Sequence, residues 1–182
     1  MVQNLHYEII LDLMKNENYV RNIAENLGIS HVNVIRKIKD LEGQGVVDYK
    51  MSGRNKVYFL KDNIQSRYLI ITSEIYKTNK FLSQTTKFKI LFEDLIESID
   101  SEMIVLFGSY AKGSSDDKSD IDIYVESKDK AVKQKVKSIS TKINAKIGTL
   151  DTSTELGREI LKNHIIIKGF EKFYEISKQA KK

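Results

Sequence analysis

The 182-residue chain has no cysteine, no proline and only three histidines. The lack of cysteine excludes disulfides, thiol nucleophiles and cysteine-ligated zinc. His6, His31 and His164 are scattered in sequence, which gives little support to a histidine-based catalytic centre. His164, just before the apolar run at residues 165–167, reads as a surface or packing residue rather than a ligand. No apolar run approaches the roughly 18 residues needed to cross a bilayer. The N-terminal MVQNLHYE is neither basic nor followed by a signal-like apolar core. The expectation is therefore a cytoplasmic protein with no membrane partner. Without proline, and with no repeat or low-complexity tract, domain boundaries have no sharp markers. What is present, 41% apolar and 30% charged residues, is normal for a globular protein with room for two small domains.

The most specific stretch is LFGSYAKGSSDDKSDIDIYVES, in which ten residues separate the pair Gly108 and Ser109 from Asp120-x-Asp122. Residues 103–107 (MIVLF) read as a buried strand that stops at Gly108, where a missing side chain lets backbone amides approach a phosphate. Ser109 opens a short helix, whose first N–H groups attract anions and whose hydroxyl can donate to a phosphate oxygen. After the polar loop 113–119, Ile121, Ile123 and Val125 alternate with Asp120, Asp122 and Tyr124, the pattern of a half-buried strand. Both carboxylates then share one face. Two acids at i and i+2 on a rigid strand suit magnesium, which takes one or two carboxylates together with substrate phosphates.

On these residues the chain resembles the DNA polymerase beta-like nucleotidyltransferases, particularly their minimal members, over about residues 86 to 150. The resemblance implies that Gly108 and Ser109 hold the triphosphate of an NTP, ATP foremost. It also implies that Asp120 and Asp122 bind two divalent metals, Mg2+ or Mn2+, and act as catalytic residues. An acceptor, which in some minimal members is a partner protein, would receive the nucleoside monophosphate. That family usually adds a third carboxylate on the following strand. Here that strand falls within residues 143–150 (INAKIGTL), which hold no acid. Asp151, immediately after it, is a candidate third catalytic acid, the alternative being a cap for a helix starting near Ser153. Lys146 is either a phosphate contact or a solvated lysine.

The first third follows a different pattern. Ile9, Ile10 and Leu13 mark one helix, and Val20, Ile23, Ala24 and Leu27 a second. A turn follows at Gly28 and Ile29. Ser30 then caps a third helix with Val34, Ile38 and Leu41 inward, ending near residues 43–45. Two strand-like runs, 46–50 and 56–60, flank a turn at 52–55 and form a hairpin with a basic tip. Over residues 5 to 61 this order resembles winged helix-turn-helix domains, which implies a DNA partner. His31, Asn33, Arg36 and Lys39 lie on the exposed side of the third helix, beside Val32, and Arg54 and Lys56 lie on the wing. Residues 1 to 62 carry nine Lys or Arg against eight Asp or Glu, so a DNA partner would depend on local clustering. A protein-binding winged helix is the alternative.

Residues 63–80 have Ile64, Tyr68, Ile71 and Ile75 at helical intervals, a connecting helix that either pairs with its copy in a homodimer or packs on its own domain. Phe88 to Ile99 mark another amphipathic helix, and residues 130–141 a basic one. The expected fold is α/β (α+β) with a winged helix-turn-helix at 1–62, a connecting helix at 63–82 and a nucleotidyltransferase domain at 83–182. The last of these would have a mixed β-sheet flanked by helices.

Overall fold

A computed structural model describes residues 4–116, 118–129 and 131–180. Asp117, within the motif loop, and Lys130, at the start of the expected basic helix, lie outside the described residues. The chain divides into two compact units, 1–76 and 77–182.

The first unit opens with α1 (Leu5–Lys15), β1 (Asn18–Tyr19), α2 (Val20–Leu27) and α3 (His31–Gly43). The hairpin strands β2 (Val47–Ser52) and β3 (Asn55–Leu60) follow. Ile9, Ile10, Ile23, Val34, Ile38, Leu41, Val46 and Val47 form one core, each almost inaccessible to water. The α2 helix stops where Gly28 turns left-handed at φ 63°, and the Ser30 hydroxyl accepts from the Asn33 N–H to start α3. Burial of Val34, Ile38 and Leu41 contributes about 5–9 kcal/mol, against about 1 kcal/mol for such a cap, so packing holds α3 in place. Period counting does not reveal β1, a two-residue strand that joins β3 to give a sheet of order β1-β3-β2. Its turn is tied down by the nearly buried Asp12, whose carboxylate accepts from the side-chain amides of Asn18 and Asn26.

The next helix, α4 (Ile64–Gln84), runs longer than its periodicity suggests. Leu69 and Ile70 pack on the core of the first unit, and Phe81 and Leu82 on a core of the second.

The second unit continues with α5 (Lys87–Ser98), β4 (Ile104–Phe107), α6 (Gly108–Lys112), β5 (Ile121–Glu126) and α7 (Val132–Ile139). It ends with β6 (Ile143–Gly148), α8 (Glu155–Lys162), β7 (Ile165–Lys168) and α9 (Phe170–Gln179). The sheet order is β6-β5-β4-β7, with β4 antiparallel to both neighbours and β5 parallel to β6. The parallel pair is possible because the α7 segment carries the chain back to the starting end of β5. On one face, Ile104, Leu106, Ile123 and Val125 pack with Phe88, Phe92 and Leu95 of α5 and Val132 and Val136 of the α7 segment. On the other, Val105, Phe107, Tyr124 and Ile166 pack with Ile160 of α8 and Phe173 of α9.

The strand read as half-buried is thus covered on both sides. Tyr124 is 3% exposed, and its hydroxyl finds partners inside, donating to the Gly148 carbonyl at 2.7 Å with a Glu126 carboxylate oxygen 3.2 Å away. Burial, reinforced by Glu126, raises its pKa. His164 is a packing residue, as expected: it is buried against Phe173, with Nδ1 at 3.0 Å from the Ile160 carbonyl. Among the described residues no helix is long and apolar enough to cross a membrane.

Candidate nucleotide and metal site

At the end of β4 the backbone turns sharply. Gly108 adopts φ 70°, and a Cβ built there would lie 2.2 Å from Asp122 Oδ2, so only glycine fits. The contact follows from the sheet, because antiparallel pairing sets Phe107 opposite Asp122. The short α6 starts at this turn and ends at left-handed Gly113. The Ser109 carbonyl accepts from the Ser114 N–H at 3.0 Å and fixes the loop's exit.

The loop back to β5 is organised by Asp116, whose carboxylate accepts from the Ser119 hydroxyl and the Lys118 N–H, each at 2.9 Å. Those bonds, led by the one from Ser119, hold the Asp116 carboxyl below the usual carboxylate range. Asp120 sits exposed immediately before β5, and Asp122 is half-buried one residue into it. The structure therefore brings Gly108 and Asp122 into contact, with Ser109 next to the glycine in the chain and Asp120 two residues before the acid.

It does not bring Asp151 there. Because β5 and β6 run parallel, Asp122 pairs with Asn144 and Glu126 with Gly148. Asp151 follows the far end of β6, where the Leu150 N–H donates to Glu126, and four residues of strand span roughly 13 Å. Its carboxylate instead accepts the Ser153 hydroxyl and N–H, at 2.7 and 2.9 Å, ahead of α8. These two bonds, hydroxyl first, lower its pKa. Strand direction thus sets Asp151 apart from the end of β6 that flanks Asp122, and Asp151 shapes the approach to α8, which Thr154 caps by accepting from the Gly157 N–H.

The residue the sequence reading missed is Asn144. Its side-chain amide donates to Asp122 Oδ1 at 2.8 Å. The available signal was direction: after a helical crossover the next strand runs parallel, so its first residues, not those following its end, flank the acids. Lys146 lies exposed one pleat further along β6, in a groove of about 960 Å³ that runs from Asn144 to Asp151. Among the described residues no cluster of three His, Asp or Glu can hold a metal. A carboxylate against a glycine turn, with a second acid two residues before it in the chain, fits a cation carried in by a polyphosphate, which completes its own coordination.

In the first unit, His31, Arg36 and Lys39 are exposed along α3, Val32 is 73% exposed, and Asn33 is half-covered next to the Ser30 cap. Arg54 and Lys56 are exposed at the hairpin, with the Lys56 ammonium 3.6 Å above the Tyr49 ring. These six candidates occupy α3 and the hairpin and are not among the buried side chains.

The second unit's mixed sheet with helices on both faces, and its glycine turn set against a strand-borne acid, are consistent with a nucleotidyltransferase fold. Residues 89–172 match the family model described as Polymerase beta, Nucleotidyltransferase. That span contains the whole Gly108–Asp122 constellation. No curated protein matches the chain.

Proposed function

We propose that the C-terminal unit is a nucleotidyltransferase that binds an NTP, preferentially ATP, with Mg2+ or Mn2+, and transfers its nucleoside monophosphate to an acceptor hydroxyl. The carrying observation is the contact between the Gly108 turn and the Asp122 carboxylate, and the family match supports it. The first N–H groups of α6 and the Ser109 hydroxyl receive phosphate oxygens. Asp120 and Asp122 hold the cation, which when bound offsets the charge that develops on the phosphoryl oxygens. In the transfer a bond forms from the acceptor oxygen to the α phosphorus, and the bond from that phosphorus to the pyrophosphate oxygen breaks. The hydroxyl proton passes to solvent.

Calorimetric titration of the full chain with ATP and Mg2+ tests the site. Binding is expected, and Asp120→Asn/Asp122→Asn should abolish it; unchanged affinity in that double variant would refute the assignment. The N-terminal unit is proposed to bind DNA, with Asn33 or Arg36 at base edges and Lys39, Arg54 and Lys56 on phosphates. His31 stands at the exposed start of the same helix.

A second reading is favoured by one specific observation, the neutral Asn144 beside Asp122 where another acid would strengthen catalysis. In it the chain is a DNA-binding regulator whose C-terminal unit senses nucleotide. Incubation with radiolabelled ATP, Mn2+ and cell extract separates the two. Label on a partner protein or any other acceptor supports the enzyme, and nucleotide-dependent gel retardation without transfer supports the sensor.

A further inference from the structure

We infer that Asn144 is a positioning residue that limits the site to one divalent cation per bound nucleotide. The inference rests on the nucleotide-binding reading above and adds to it. Parallel register sets Asn144 directly opposite Asp122. The Asn144 amide donates to Asp122 Oδ1 at 2.8 Å, and the Asp122 Oδ2 atom faces the Gly108 turn at a distance no Cβ would permit. The two oxygens are thereby distinguished: one is engaged by a neutral donor, and the other is turned toward the place where polyphosphate is received. Asp122 acts as a ligand through one oxygen.

A second cation would need anionic oxygens on the Asn144 side, since paired metals sit about 3.5–4 Å apart and repel unless carboxylates bridge them. That side instead carries a neutral amide, whose N–H is engaged by Asp122 Oδ1 and which brings no negative charge to offset a second cation. Among the described residues no third His, Asp or Glu joins Asp120 and Asp122. Asn144 thus holds Asp122 in its rotamer and at the same time keeps the second position closed. Asn144→Asp would set two carboxylates within hydrogen-bonding distance, a repulsion that a second cation relieves.

The test is a Mn2+ titration of the full chain saturated with a non-hydrolysable ATP analogue, with free Mn2+ read by electron paramagnetic resonance. One Mn2+ per chain is expected for the native protein and two for Asn144→Asp. Two in the native protein would overturn the inference even if the variant failed to fold. So would one in an Asn144→Asp chain with native circular dichroism. Asn144→Ala should keep one Mn2+ but weaken analogue binding several-fold, because Asp122 loses its anchor. The parent reading fails separately, through analogue affinity that survives Asp120→Asn/Asp122→Asn.

Discussion

Gly108 carries two constraints that no other residue type satisfies together, a left-handed backbone and a carboxylate at the position its Cβ would take. Gly108→Ala is expected to cost about 1–2 kcal/mol from the backbone alone, with a further penalty as Asp122 is displaced. Thermal denaturation should show the first effect, and titration with ATP and Mg2+ should show affinity falling at least tenfold. Asp151→Ala is the contrasting case: nucleotide affinity should stay within twofold of native, since its carboxylate serves Ser153. The site was legible in the sequence to this extent. Gly108, Ser109, Asp120 and Asp122 are set by local rules, a strand end, a helix start and a two-residue period. Asn144 was missed, and the position of Asp151 was not legible, because strand alternation tells which face a residue takes but not which way the strand runs. At the same scale, burial, with a smaller contribution from Lys37, lowers the pKa of His6. A group whose folded pKa is depressed contributes stability above its unfolded value that is lost as pH falls. The N-terminal unit should therefore weaken as pH drops below about 6.5, and His6→Gln should flatten that dependence in denaturant titrations at pH 5 to 8.

Among the elements, those whose burial repeats at a single period were readable, including α1, α3 and the hairpin. The misread cases involve partners distant in sequence. Tyr124 looked like the outward residue of an alternating strand, yet α8 and α9 arrive from the end of the chain to cover that face. Tyr124→Phe should cost about 1 kcal/mol, because the hydrogen bond to Gly148 is lost while the ring still packs, and urea denaturation would measure it. The α3 helix and hairpin supply a second check. If they meet DNA, Arg36→Ala/Lys39→Ala should weaken binding and lower the slope of log affinity against log salt by about two when both contact phosphate. An unchanged slope with changed sequence preference would assign them to base edges. Along α4 the stripe of Ile64, Tyr68 and Ile75 remains exposed, at 60%, 57% and 40%.

At the scale of the whole molecule, net charge discriminates little, because the N-terminal 62 residues account for only +1 of the total +5. Connectivity discriminates more. A single helix, α4, contributes Leu69 and Ile70 to one core and Phe81 and Leu82 to another, while the sites proposed for nucleotide and DNA belong to different units. Each unit then carries its own label in a melting experiment. Lowering the pH destabilises the N-terminal unit through His6, whereas ATP with Mg2+ stabilises the C-terminal unit by RT ln(1 + [L]/Kd), about 2.7 kcal/mol at a hundredfold excess over Kd. Differential scanning calorimetry should resolve two transitions, one moved by nucleotide and the other by pH. If one transition responds to both, the shared helix transmits the nucleotide's binding energy into the N-terminal unit. Linkage then requires that DNA change nucleotide affinity by the same factor as nucleotide changes DNA affinity, which paired titrations of the full chain would measure directly.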